Sequence, residues 1–264
     1  MLSPRSPVRR SAAALLVSLV LVTGACSGER PSLADDAERA TSSTTTAAPT
    51  TTTTEPAAAA AAEVATAKET TIDVFADEGA TEADRQIVSG VDTSVNTIPI
   101  VFLVKTPVDG ERVEVYLPVR PNGSSGWVDA ADVDISTVPY RIEVGISEKR
   151  IRVFNGEEMI VDEPVGVGRA DRPTPGGVYY LKELLQPPEP GGPYGSFAYG
   201  LSGFSNVLTS FAGGPGVIGI HGTNDPSSVG GDVSSGCIRL QNDVIERMVD
   251  EIGLPLGTPV DILA

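Results

Sequence analysis

Gly216-Val217-Ile218-Gly219-Ile220-His221-Gly222-Thr223, followed further on by Ser234-Ser235-Gly236-Cys237-Ile238-Arg239-Leu240, are the two segments on which both fold and chemistry turn. The first reads as a short apolar strand that delivers a histidine at its end, and Cys237 lies 16 residues after His221. A thiol is a weak nucleophile until it ionises. An adjacent imidazole lowers its pKa and forms a thiolate–imidazolium pair competent for acyl transfer. The chain has one histidine and two cysteines, and Cys26 belongs to a segment of different character, so each role has a single candidate. Taken alone, a histidine at a strand end is a structural residue and a lone cysteine a small buried hydrophobe. Paired at this spacing beside glycines, they read as base and nucleophile.

Working outward, the alternation of Ile142, Val144 and Ile146, then Ile151 and Val153 beyond a turn at 147–149, predicts two half-buried strands. Asn155-Gly156 signals a tight hairpin into a strand over 158–167. A further strand is expected over 176–185. The stretch 186–200, with Pro187, Pro188, Pro190 and Pro193 among glycines, reads as a loop or lid. Its Tyr194, Phe197 and Tyr199, with Phe204 just beyond, either line the site or serve as packing pegs. One helix is predicted from Asn242 as cap through a stripe of Val244, Ile245, Met248, Val249 and Ile252, ending at Gly253. A last strand over 260–263 closes the chain.

His221, the spacer and the run Ser-Xaa-Gly-Cys-Ile-Arg together resemble the signature of the YkuD-type L,D-transpeptidases, over about residues 140–264. The resemblance implies a mainly β fold, a YkuD-like β-sandwich with one C-terminal helix. It also implies a cysteine enzyme of peptidoglycan that needs no cofactor and no metal. Cys237 would attack the carbonyl after the third residue of a stem tetrapeptide, expel the terminal D-alanine and hold the peptide as a thioester, with His221 as general base. An amine from a neighbouring stem would then complete a 3→3 cross-link. Peptidoglycan stem peptides are the implied partners and carbapenem-type β-lactams the implied inhibitors, acting on a monomer. Ser235 departs from the pattern, which has histidine immediately before Gly-Cys. Two other readings stay open: a cysteine carboxypeptidase that lets water resolve the thioester, and a wall-binding lipoprotein with an impaired site.

Around the pair, Gly236, Ser235 and Gly222 are candidate oxyanion or support residues. The amides near Gly236 and Cys237 form either an oxyanion hole or a simple tight turn. Arg239, Ser234 and Tyr199 are the candidate substrate contacts; Arg239 either grips a substrate carboxylate or pairs with an acid such as Asp243.

Toward the start, Arg5, Arg9 and Arg10 precede an apolar run over 12–23, the layout of a secretory signal and too short to span a bilayer. Thr23-Gly24-Ala25-Cys26 resembles a bacterial lipobox, with Thr23 where leucine is usual. That resemblance implies a signal over 1–26, acylation of Cys26, and a position on the outer face of the cytoplasmic membrane facing the cell wall. Residues 27–68, rich in Thr, Ala, Ser and Pro, read as a tether with a span of roughly 35 Å. Short β-type runs at 71–75, 98–105, 112–118 and 126–128 predict a small β unit over 69–138, ahead of a catalytic domain over 139–264; Gly126-Trp127-Val128 followed by Ala130-Ala131-Asp132-Val133 resembles bacterial SH3-like modules. The formal charge of −16 over 264 residues lacks the basic stripe that nucleic acid needs. Two cysteines and one histidine permit neither a disulfide framework nor a zinc cluster.

Overall fold

The computed structural model describes residues 61–90, 98–107, 109–211 and 214–264. The expected export signal, the Cys26 segment and the tether as far as residue 60 lie outside the described residues.

The small unit consists of β1 (Ala62–Ala67), β2 (Thr71–Val74), β3 (Arg85–Val88), β4 (Val101–Leu103), β5 (Arg112–Tyr116), β6 (Ser125–Asp129) and β7 (Val133–Val138). Strand β1 lies between β4 and β7, antiparallel to both, while β2–β3 and β5–β6 form two-stranded ladders. Phe102, Val113, Val115 and Val128 fill its core. Strand β1 corrects the tether boundary, because the unit begins at Ala62 and not at residue 69. Its two faces are both occupied. Ala65 turns into the core of the small unit, and Val64 packs against Val101 and Val138 with Leu256 of the catalytic domain beside them. An Ala- and Thr-rich run thus becomes a strand because neighbours on both sides bury it, which composition does not reveal. Strands β3 and β7 were likewise missing from the expected set.

The C-terminal domain, where the sequence places the catalytic residues, comprises β8 (Tyr140–Gly145), β9 (Arg150–Asn155), β10 (Glu158–Pro164), β11 (Val167–Gly168), β12 (Gly177–Leu185), β13 (Ala198–Phe204), β14 (Val217–His221), β15 (Asp232–Ser234), β16 (Ile238–Arg239), the helix α1 (Asn242–Glu246) and β17 (Pro259–Leu263). Eight strands form one curled sheet in the order β10-β9-β8-β17-β12-β13-β14-β16. The domain is mainly β, with one short helix near its C-terminus, as expected. Alternation places Ile142, Val144, Ile151, Val153, Val260 and Ile262 in its core, where period-two burial supplies most of the apolar stabilisation.

The expected strand over 158–167 breaks at Pro164, and Val167 pairs instead in parallel with β15, the strand that leads into the cysteine turn. The expected lid is shortened, since β13 already starts at Ala198. Glycines concealed this strand. A Cβ on Gly203 would come 2.3 Å from the Tyr179 ring, so the sheet requires a residue without a side chain there. Tyr179 cannot easily yield, being buried with its hydroxyl donating to Gly176 O at 3.1 Å. The helix is also shorter than predicted. It passes into a π-type turn over Arg247–Glu251 and ends at Gly253, where φ is +67°. Ile245 and Met248 are its buried residues, while Val244, Val249 and Ile252 pack half-buried at the edge of the core.

Gly203→Ala should destabilise the domain by about 1–3 kcal/mol through overpacking against Tyr179. Urea denaturation checks this, and an unchanged midpoint would show that the ring moves aside freely.

Candidate active site

Strand β14 carries His221 and pairs in parallel with β16, with Ile220 opposite Ile238 and His221 opposite Arg239. Ile220 and Ile238 point into the core, so the alternate positions, Gly219, His221, Cys237 and Arg239, share the opposite face. Cys237, just before β16, thereby lies two residues from the position opposite His221 and on the same face. His221, Cys237, Ser235 and Arg239 line one cavity of about 130 Å³. A larger cleft of about 610 Å³ also reaches His221 and Cys237 and extends past Pro187 and Glu183 to Gly90 and Ile98 of the small unit.

The imidazole is buried and fixed. Its Nδ1 lies 2.6 Å from the carbonyl oxygen of Gly222. A carbonyl can only accept, so Nδ1 carries the proton and Nε2 is left with a free lone pair. Gly222 is thus a support residue through its carbonyl, while its N–H is spent on Phe197 O at 3.2 Å. The Tyr194 ring meets the imidazole edge-on at 5.0 Å between centroids. Asn242, expected to cap the helix, instead accepts from Thr223 N–H at 2.9 Å through its Oδ1 and pins the segment after His221; the cap position is Gln241.

The turn carrying Cys237 is built by its neighbours. The Ser234 hydroxyl donates to Cys237 O at 2.6 Å and accepts from Gly236 N–H at 3.0 Å. Gly236 has φ of +117°, a conformation that an L side chain rarely adopts. Its amide is therefore committed to the turn and is no oxyanion donor. Ser234, expected to touch substrate, is buried and braces the turn. The buried hydroxyl of Tyr199 donates to Leu254 O at 3.2 Å, with its pKa pushed up to about 12 chiefly by burial, while the residue also borders the larger cleft. Among the lid aromatics it is Tyr194 that faces the histidine. Phe197 packs on the core and Phe204 lies under Arg120. Ser235 accepts from Arg172 Nη1 at 3.4 Å, so a cation stands beside the position where the resemblance leads one to expect histidine. Arg172 had no sequence signal of its own, because nothing in its local pattern points across 63 residues.

Burial in the site works against a resting ion pair. Burial is the largest influence on both groups: it pushes the Cys237 thiol up, against smaller opposing effects from the Gly219 backbone and the charge of Arg239. It brings the His221 imidazole down to about 4, with the Gly222 carbonyl partly opposing and Arg239 reinforcing. Both groups are neutral at pH 7, because the enclosed site disfavours either charge. Among the described residues Arg239 forms no ion pair with Asp243, and its Nε is buried without a hydrogen-bond partner. Among the described residues no cluster of three His, Cys, Asp or Glu side chains gathers to hold a metal.

The family model for the L,D-transpeptidase catalytic domain, YkuD, matches residues 139–262. The YkuD protein of Bacillus licheniformis is 33% identical over 156 residues, which cover 56% of this chain and 85% of the relative. The YkuD protein of Bacillus subtilis is 37% identical over 130 residues, covering 49% and 69% respectively. Among solved structures, Bd1075 of Bdellovibrio bacteriovorus is 28% identical, with a TM-score of 0.38 over 48% of this chain and 47% of its own.

A neutral resting pair predicts that alkylation of Cys237 by iodoacetamide accelerates with pH through and beyond about 8.5, the ordinary thiol value. Rates measured by peptide mass spectrometry across pH 5–10 check this. A plateau already present at roughly pH 5–7 would mean a preformed thiolate.

Proposed function

The chain belongs to the YkuD family of L,D-transpeptidases, and on that premise we propose that it joins peptidoglycan stems by 3→3 cross-links through a thioester on Cys237. The observation that carries this reading is the meeting of Cys237 and the tautomer-fixed His221 at one cavity. Because both groups rest neutral, ionisation and attack are coupled. Nε2 of His221 takes the thiol proton as sulfur bonds to the carbonyl carbon after the third stem residue. The bond to the terminal D-alanine then breaks, and the imidazolium returns the proton to the departing amine. An acceptor amine next loses its proton to His221 as it attacks the thioester, and the thiol is restored. The acyl energy passes from peptide to thioester to peptide without any cofactor.

The Nε of Arg239, buried without a hydrogen-bond partner beside the cavity, supports carboxylate recognition over a structural pairing, since an unsatisfied buried donor gains from an anionic ligand. The cation of Arg172 on Ser235 supports a working site despite the missing histidine. The charged and apolar segments before Cys26 support export and anchoring by its acylation, with the wall as the working compartment. Carbapenem-type β-lactams fit as inhibitors, because they present a strained carbonyl to the same thiol. Water as acceptor instead of an amine is the second reading, favoured by the larger cleft of about 610 Å³ that also reaches Cys237.

Incubation with tetrapeptide stems, followed by mass spectrometry, separates the readings. Cross-linked dimers are expected; shortened monomers would indicate a carboxypeptidase, and unchanged stems an impaired site. Cys237→Ala should abolish both the dimers and the carbapenem adduct, and an adduct surviving on that variant would refute the assignment. Ser235→His should preserve or raise turnover, whereas a fall greater than about tenfold would show that the serine–Arg172 contact has a dedicated role.

A further inference from the structure

We propose that Arg120, in the small β unit, is a positioning residue for the catalytic cavity: it holds the wall formed by 205–211 and 214–216 in place by donating to three of its carbonyls. The inference goes beyond the functional reading above, because it concerns the shape of the cavity whatever reaction occurs there.

The wall is the connection between β13 and β14, and Ser205, Leu208, Phe211 and Gly216 from it line the same cavity as Cys237 and His221. Its ends are tied, with Ser205 N–H donating to Gly216 O at 2.9 Å. Phe211 and Gly214 exchange two further backbone bonds of 2.9 Å. The Ser205 hydroxyl accepts from Leu208 N–H at 3.0 Å. Leu208 O and Pro215 O are not engaged by these bonds. Arg120 supplies the donors: Nη1 reaches Ser205 O at 2.7 Å, and Nη2 reaches Leu208 O at 3.0 Å and Pro215 O at 3.1 Å. Its guanidinium also lies 4.8 Å from the centroid of the Phe204 ring. Asn122 completes the attachment, donating to Phe204 O at 2.8 Å and accepting from Phe204 N–H at 2.9 Å, as a paired strand would.

A planar fork with several fixed donors suits this task, and a lysine ammonium cannot reproduce its geometry. The contact joins residues 85 to 95 positions apart, so the small unit has a structural reason to accompany the catalytic domain. Among the described residues no acid pairs with Arg120, which sets it apart from the arginines paired with acids elsewhere on the surface. Its role is to order backbone that faces the thiol. A displacement of even 1 Å in such a wall can cost up to about 100-fold in a reaction that depends on alignment.

The test compares two reagents at Cys237 in the full chain, read by peptide mass spectrometry: small iodoacetamide and bulky N-phenylmaleimide. In Arg120→Ala the iodoacetamide rate should stay within about twofold, while the ratio of the two rates shifts at least about fivefold and hydrogen exchange rises in 205–211. Asn122→Ala should move the same readouts in the same direction, and Arg120→Lys should fall between Arg120→Ala and the unmodified chain. An unchanged ratio, or an equal fall for both reagents with global loss of exchange protection, would overturn the proposal. Stem-peptide turnover is measured alongside. A chain that never forms cross-links but shows the shifted ratio refutes the functional reading and leaves the positioning role standing.

Discussion

The hydrogen bond from Nδ1 of His221 to the Gly222 carbonyl is the constraint on which the site rests. It selects the tautomer, orients the ring and leaves Nε2 as the only basic nitrogen in a buried pocket. Everything that surrounds it serves to keep that geometry. Asn242 pins Thr223, the edge of Tyr194 abuts the ring, and the core beneath β14 fixes the strand on which the histidine sits. Burial then has two consequences. It brings the imidazole pKa down to about 4, and it pushes the thiol up. A pair that stores no charge at rest avoids the cost of an enclosed ion pair and develops charge only as the sulfur reacts.

The cysteine is placed by a different device. Its turn owes its shape to the Ser234 hydroxyl, which bonds on both sides of the turn, and to a backbone angle at Gly236 that side chains disfavour. The two halves meet only because β14 and β16 run parallel in register. Arg239 follows on the same strand face, so one short ladder presents base, nucleophile and a guanidinium to a single cavity. One further wall comes from the β13–β14 connection, held from outside by Arg120 and Asn122, and another from Pro193 and Tyr194 of the proline-rich loop. The small unit is therefore continuous with the site in a physical sense, through hydrogen bonds to the backbone that shapes it.

Much of this was legible in the residues. Alternating Ile and Val announced β8, β9 and β17, and the order of His221, Gly236 and Cys237 marked the reacting pair. What remained hidden has common causes. Strand β13 was hidden by glycines whose purpose, room for the Tyr179 ring at Gly203 and for the Glu183 side chain at Gly200, exists only in the folded sheet. Strand β1 was masked by its alanines and threonines, because burial on two faces depends on neighbours far away in sequence. Ser234 and Tyr199 looked like substrate contacts, since a hydroxyl near a nucleophile reads the same whether it faces the cavity or bonds inward. Asn242 looked like a cap for a similar reason, its partner lying 19 residues earlier. The contacts of Arg172 and Arg120 span still longer separations and leave no local pattern.

The chain contains a single histidine, so imidazole 15N chemical shifts report on this site without assignment. The account predicts a neutral ring at pH 7 with the proton on Nδ1, titrating only toward about pH 4, and a changed Nε2 shift once Cys237 is alkylated. A ring protonated on Nε2, or one titrating near the ordinary value of about 6.5 and indifferent to alkylation, would contradict it.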